Sequence, residues 1–190
     1  MNNDLTILVD ADDVIENLAE RWVEVLNHLT GSSLREQDIT EWDITKFYPQ
    51  LRKEEVYKVL EKESFWDGLK ATPGAYEAIV SLAEDGHIIK IVTASHYSTL
   101  QYKIPKIMDL FPCLEWQDFI ITSEKQFVKG DIIIDDNPIN LRGERRYKLL
   151  FDRPHNQKFD AEKNNVFRMK NWAEIRALIM LDRKYFGGQK

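Results

Sequence analysis

Short apolar runs alternate with longer amphipathic stretches along this chain. The apolar runs are rich in β-branched residues and predict strands of a parallel sheet at 5–9, 88–93, 119–122, 132–134 and 148–151. Helical patterns lie between them, as in residues 73–86, where Pro73 suits a first helical turn and Gly86 suits a C-terminal cap. This alternation predicts an α/β fold in which helices sandwich a parallel sheet.

One long stretch after the first strand interrupts the alternation. Its apolar positions recur at helical spacing, at Val14, Leu18, Trp22, Val25 and Leu29. Gly31 suits the end of that helix, and residues 54–62 predict another. We therefore predict a small helical cap, residues 15–71, inserted after the first strand, with a core of residues 1–14 and 72–190. Trp22, on the apolar stripe, is expected in the core.

Composition narrows the class of partner. The 190 residues are 43% hydrophobic, which suffices for a buried core, and the formal net charge is −6. An acidic chain without a basic block is not expected to bind a nucleic acid polymer or an anionic membrane. A single cysteine, Cys113, excludes an intrachain disulfide, and no segment is apolar enough to span a membrane. We expect a soluble cytoplasmic protein, and a homodimer is left open.

Carboxylates gather where two of the predicted strands end. Asp10, Asp12 and Asp13 follow the first strand, and Asp135 and Asp136 end a later one. The carboxyl ends of parallel strands converge on a ligand crevice, so the two groups are expected to meet. Hard oxygen ligands beside a phosphate substrate favour Mg²⁺. Any one Asp also suits a turn or a helix N-cap, and Asp13 before Val14 fits that interpretation.

A third strand end carries hydroxyl groups. Thr93, Ala94 and Ser95 follow an apolar run, and hydroxyls with free backbone amides at a helix start can hold phosphate oxygens. Lys125 precedes the second acidic pair and is the cation expected to offset phosphate and carboxylate charge, with Lys129 as its rival.

Together these motifs resemble the four motifs of the haloacid dehalogenase (HAD) superfamily of phosphotransferases. The closest resemblance is to the 5′(3′)-deoxyribonucleotidases, carried by ILVDADDV, FWDGLKATPGAYEAI, IVTAS, TSEKQFVKGDIIIDDNP, LFDRPHNQ and NWAEI, which run across nearly the whole chain. The resemblance implies a HAD-like Rossmannoid sheet with a cap, and a Mg²⁺-dependent phosphatase acting on nucleoside monophosphates. It does not settle base or sugar preference.

The resemblance also implies roles for individual residues. Asp10 would be the nucleophile that becomes an aspartyl phosphate, and Asp12 would protonate the leaving oxygen and then activate water. The other roles concern ligands. Mg²⁺ would be held by Asp10, by Asp136 and by the backbone carbonyl of Asp12, with Asp135 alongside. The phosphoryl group would be bound by Thr93, the Ala94 amide, Ser95 and Lys125. The nucleobase would be bound by Leu18, Trp42, Phe65 and Trp66.

The chain departs from the family motifs at two positions. Asp13 stands where relatives commonly have Gly, and Ala94 stands where they have a second hydroxyl residue.

Three alternative functions remain. The first alternative is a receiver-like signalling module that accepts phosphate on Asp. The second is a HAD phosphatase for another small phosphomonoester, and the third is a nucleotide-binding protein without turnover.

Overall fold

The computed structural model describes residues 4–186, with side-chain surroundings up to residue 182, so residues 1–3 and 187–190 of the predicted core lie outside the described residues. The strands are β1 Thr6–Val9, β2 Ile88–Thr93, β3 Phe119–Ile121, β4 Ile132–Asp135, β5 Tyr147–Phe151 and β6 Phe167–Met169. The α-helices are α1 Leu18–Thr30, α2 Lys53–Lys58, α3 Glu63–Asp67, α4 Ala75–Glu84, α5 Tyr97–Leu110 and α6 Trp172–Phe186. Short 3₁₀ turns join several of them.

All six strands form one parallel sheet in the order β3-β2-β1-β4-β5-β6. The α/β fold predicted from the apolar runs is therefore confirmed. The strand β6 was not predicted, because its three residues at the edge of the sheet include an arginine and no β-branched residue. No helix in residues 4–186 is long and apolar enough to cross a membrane.

Helices and loops cover both faces of the sheet. Ile7 and Val9 of β1 are buried in one apolar cluster, which α4 and α6 complete from one side. Leu8 lies in a second cluster on the opposite face with Ile133 and Leu150. This alternation follows from the two-residue period of a strand, and it places β1 in the middle of the fold.

Residues 15–71, which we call the cap, contain α1, α2 and α3 and no strand of the sheet. Buried side chains from all three helices form an apolar cluster of their own. The first helix begins at Leu18, so the predicted start at Val14 was wrong. Val14 and Ile15 are fully buried against the core, as part of the connection that leads into the cap. Gly31 ends α1 with φ +69°, as its position predicted.

Candidate active site

The acidic groups that follow β1 and β4 lie side by side. Val9 is paired with Ile134, and the Asp10 amide donates to the Ile134 carbonyl at 2.9 Å. The carboxylates therefore project from neighbouring strand ends. One oxygen from each of Asp10, Asp135 and Asp136 lies within 4.8 Å of the others, and all three residues are buried. The predicted convergence of the two groups is present in the fold.

Lys125 is the cation of this cluster. Its side-chain nitrogen lies 2.6 Å from Asp10 Oδ1 and 2.7 Å from Asp135 Oδ2, and the residue is 1% exposed. Burial alone would lower the pKa of Lys125, but the charges of the two aspartates outweigh it and raise that pKa. The ammonium is therefore charged at neutral pH. Lys129, its rival in the sequence, is exposed.

One lysine does not balance three buried carboxylates. Burial, and then the charge of Asp135, raises the pKa of Asp10 to about 7. Burial likewise raises the pKa values of Asp135 and Asp136. Asp136 Oδ1 is buried without a hydrogen-bond partner among the described residues. A divalent cation among these oxygens would supply the missing charge and the missing partner, so the donor set fits Mg²⁺.

Asp12 contacts a different lysine, which the sequence analysis missed. Lys103 Nζ lies 2.5 Å from Asp12 Oδ1, and it also donates to Thr93 Oγ1 at 2.9 Å and to Ser95 Oγ at 2.5 Å. Burial would raise the pKa of Asp12, but the charge of Lys103 together with hydrogen bonds from Glu16 and Lys103 outweighs burial and lowers that pKa. The buried carboxyl of Glu16 has its pKa raised well above the usual range by burial and by the charge of Asp12. Asp12 is thus the charged partner of Lys103.

Helical periodicity in the sequence indicates that Lys103 is buried. Thr99, Lys103 and Ile107 are spaced four apart, and all three are buried on the inner face of α5. A lysine at such a position is rarely buried without a partner. The helix itself was hard to predict, because it continues through Pro105.

Asp13 does not cap a helix that starts at Val14. Its backbone is left-handed, with φ +56°, and its Oδ1 accepts a hydrogen bond from the Ala19 amide at 2.9 Å. The Asp13 side chain therefore caps α1 by accepting from an amide in its first turn, although Asp13 itself lies outside the helix. Burial and then the charge of Asp136 raise the pKa of Asp13 to about 7. Asp13 thus keeps the left-handed backbone that glycine favours and adds a bond that glycine lacks.

The third strand end lies beside the carboxylates. Thr93 is fully buried, and its hydroxyl contacts Ser95 Oγ at 3.1 Å as well as Lys103. Ala94 and Ser95 line a cavity of about 430 Å³ together with Asp10, Asp12, Lys125 and Asp136. Ser95 therefore brings a hydroxyl group to the cavity next to the position of Ala94.

Side chains of the cap also line this cavity. Leu18, Trp42 and Trp66 line it, and Trp42 is 59% exposed. Phe65 is not among the lining residues: it is buried in the apolar cluster of the cap, edge-on to Trp66 at 5.2 Å between ring centroids. The prediction that Phe65 lines the substrate pocket was therefore wrong.

Two further aromatic residues face the cavity. Trp22 was expected in the core, and it does pack against the apolar cluster of the cap. It is only half-buried, however, and it also lines the cavity with Tyr57, whose ring lies edge-on at 5.2 Å. The Trp22 indole nitrogen donates to the Val56 carbonyl at 2.9 Å, which fixes the ring. The helical period placed Trp22 on the inner side of α1, but it does not distinguish a packed core from a cavity wall.

His155 joins the cap to the acidic cluster. Its Nε2 lies 2.9 Å from Asp136 Oδ2, and its ring is edge-on to Trp42 with 5.1 Å between centroids. Burial would lower the pKa of His155, but Asp136 outweighs it and raises that pKa. The neighbouring Asn156 donates to the Asp136 carbonyl at 2.8 Å. No catalytic role had been predicted for either residue.

Known proteins resemble this chain over most of its length. The family model described as "5′ nucleotidase, deoxy (Pyrimidine), cytosolic type C protein" matches residues 3–185. A 5′(3′)-deoxyribonucleotidase of Clostridium acetobutylicum is 32% identical over 93% of this chain and 95% of its own length. One from Bacillus subtilis is 30% identical over 92% of this chain and 98% of its own. These matches leave the receiver-like alternative without support.

Solved structures share the fold at low identity. A HAD family hydrolase from Deinococcus radiodurans, solved with bound phosphate and sodium, has a TM-score of 0.60 at 17% identity and covers 95% of this chain and 97% of its own. A haloacid dehalogenase-like hydrolase from Xanthomonas campestris has a TM-score of 0.55 at 14% identity, with complete coverage of both chains. The resemblance drawn from the motifs is confirmed. The chain belongs to the family of 5′-nucleotidase, deoxy (pyrimidine), cytosolic type C proteins, on the fold of the HAD hydrolases.

Proposed function

We propose that the protein is a phosphatase that hydrolyses deoxyribonucleoside monophosphates, using Mg²⁺ and an aspartyl-phosphate intermediate. The observation that carries the proposal is a single cavity lined both by Asp10 and by aromatic side chains of the cap. A phosphoryl group bound at Asp10 would leave a nucleoside beside the rings of the cap, and flat rings stack on nucleobases.

The proposed reaction has two displacements at phosphorus. An Asp10 carboxylate oxygen attacks phosphorus, the bond to the nucleoside oxygen breaks, and that oxygen takes a proton from Asp12. A water molecule then attacks the aspartyl phosphate and gives a proton to Asp12, which releases phosphate and restores the Asp10 carboxylate. The Lys103 contact favours the ionised form of Asp12, which is the base of the second step. An incoming phosphate dianion favours proton uptake for the first step.

The phosphoryl oxygens would be bound by Thr93, the Ala94 amide, Ser95 and Lys125. Asp10, the Asp12 carbonyl and Asp136 would hold Mg²⁺, with Asp135 alongside. A cation bound there would neutralise phosphoryl charge and would favour the ionised form of Asp10, although burial raises the pKa of that residue to about 7. Lys125 and Asn140, whose amide donates to Asp135 Oδ1 at 3.0 Å, orient Asp135.

A phosphate-release assay tests the proposal. The panel holds 5′- and 3′-deoxyribonucleotides, ribonucleotides, an aryl phosphate and an aliphatic phosphomonoester, each with Mg²⁺ and with excess chelator. We expect the highest kcat/KM for a deoxyribonucleotide, with turnover abolished by chelator. A preference for the aliphatic ester would assign a different substrate, and full activity in chelator would contradict the metal assignment.

A further inference from the structure

Arg153 lies between the cap and the loop that carries the catalytic aspartates. It follows β5, and its side chain is 12% exposed. Its Nε donates to the Asp13 carbonyl at 2.6 Å, and its Nη1 donates to Glu36 Oε1 in the cap at 3.1 Å. One guanidinium therefore joins the loop after β1, the loop after β5 and the cap.

The same guanidinium reaches both connections between cap and core. These connections run side by side, because the Asn17 amide donates to the Lys70 carbonyl at 3.0 Å and the Thr72 amide donates to the Ile15 carbonyl at 2.8 Å. Arg153 Nη2 donates to Asn17 Oδ1 and to Thr72 Oγ1, each at 3.3 Å. We call these paired connections, residues 15–17 and 70–72, the hinge.

The hydrogen bond from Arg153 to the Asp13 carbonyl lies next to the proposed catalytic residue Asp12. Asp13 is left-handed, a conformation that costs a non-glycine residue free energy, and it directly follows Asp12. Its carboxylate is anchored to the Ala19 amide and its carbonyl to Arg153. Each bond restrains this peptide, so a change at Arg153 is transmitted to the backbone beside Asp12.

We infer that Arg153 is a positioning residue that fixes the cap on the core and, through the same side chain, fixes the backbone next to Asp12. The inference rests on the proposed function, since the cap walls that it positions are those assigned to the nucleoside. The arrangement suits arginine, because a planar guanidinium offers five donors in fixed directions. A lysine ammonium could not reach all four acceptors. The Glu36 carboxylate is 15% exposed, so water screens this ion pair less than a surface pair.

The test compares three single variants, and the double variant of the first two, with wild type. Arg153→Gln removes the whole contact set, Glu36→Gln removes its cap end alone, and Arg146→Gln is the control, since Arg146 pairs with Asp182 away from the cap. Steady-state kinetics are measured with a deoxyribonucleotide and an aryl phosphate. Hydrogen exchange is followed at the Asn17 and Thr72 amides of the hinge.

We expect Arg153→Gln to raise KM for the nucleotide by about tenfold or more, the size expected for a lost charge-assisted hydrogen bond, and to speed exchange at the hinge amides. Glu36→Gln should raise the same KM without lowering kcat for the aryl phosphate. The double variant Arg153→Gln/Glu36→Gln should be no worse than Arg153→Gln, because Arg153→Gln already breaks the contact that Glu36→Gln removes. Arg146→Gln should match wild type in kinetics and in hinge exchange.

Unchanged nucleotide KM and unchanged hinge exchange in Arg153→Gln would overturn the inference. An equal loss of kcat on both substrates with unchanged exchange would also overturn it, by limiting Arg153 to the loop after β1. If wild type hydrolyses no member of the panel, the proposed function fails. Hinge exchange in Arg153→Gln would then still decide whether Arg153 fixes the cap.

Discussion

Lys103 and Asp12 form an ion pair of 2.5 Å, ninety-one positions apart in the chain. The lysine is wholly buried, whereas the side chain of Asp12 is 27% exposed towards the cavity. Lys103 is therefore held in place by burial, whereas the Asp12 carboxylate can contact a substrate. Because Lys103 also holds Thr93 and Ser95, it joins the residue proposed as acid and base to those proposed to bind phosphate.

Replacing Lys103 with methionine keeps most of its volume and removes its charge. The pKa of Asp12 should rise, so we expect kcat to fall by about 10²-fold or more and the acidic limb of the kcat profile to move to higher pH. Lys90→Met, which breaks a half-buried pair with Asp118 remote from the cavity, is the control. A slower enzyme with the wild-type pH profile would contradict the link from Lys103 to Asp12.

Asp10→Asn preserves the shape of the proposed nucleophile but removes its charge. We expect turnover to fall by several orders of magnitude in a folded protein, with no phosphoenzyme in a rapid acid quench. Asp12→Asn should lose about 10²–10⁴-fold and still form phosphoenzyme from a substrate with a good leaving group. Near wild-type turnover in Asp10→Asn would disprove covalent catalysis at that residue.

Trp42 and Phe65 offer a matched pair of aromatic truncations in the cap. Trp42→Ala should cost about 1–3 kcal/mol of transition-state binding for a nucleotide and much less for an aliphatic phosphate. Phe65→Ala should instead lower the free energy of unfolding by about 3–5 kcal/mol, because its ring is 2% exposed in the core of the cap. Measuring kcat/KM and urea unfolding for both separates the roles. Equal losses on both substrates in a folded Trp42→Ala would place Trp42 outside the base pocket.

Metal-free protein should become less stable as the pH rises from about 4 to about 7. In the folded chain the pKa values of Asp10 and Asp13 are about 7, against 3.8 for an unperturbed Asp, so the folded state binds more protons in this window. The free energy of unfolding then decreases with increasing pH. Urea unfolding in the presence of chelator at several pH values measures this dependence. The Asp10→Asn variant should show a smaller change in the free energy of unfolding with pH. Saturating Mg²⁺ should raise stability most near pH 7. Stability that rises with pH in chelator would refute this.

Much of the fold and part of the site were predictable, because the relevant signals are local. The apolar runs mark five of six strands, and a carboxylate at a parallel strand end lies at the ligand edge whatever the distant sequence does. The closeness of Asp10 to Asp135, and of Lys125 to both, follows from that rule together with the family resemblance. The strand β6 carries no such signal.

The remaining site residues depend on tertiary contacts. His155 lies in a short 3₁₀ turn after β5 and Arg153 directly precedes it, and a three-residue turn is too short for periodicity to predict the direction of a side chain. Whether Phe65 or Trp22 faces the cavity depends on how the cap sits on the core, which helical spacing does not determine. The delayed start of α1 has a similar cause, because residues 14–16 are used to connect the core to the cap.

The sheet order also bears on synthesis of the chain. β1 is made first, yet its neighbours β2 and β4 are made much later, and the Thr6 amide meets its acceptor Asp131 across a separation of 125 residues. While the ribosome is still translating the cap, the apolar residues of β1 have no partner strand to cover them. A nascent chain that stops before β4 has Asp10 but neither Asp135 nor Asp136. Such a truncated product is therefore expected to require chaperone protection, and it cannot carry out the chemistry proposed for the whole chain.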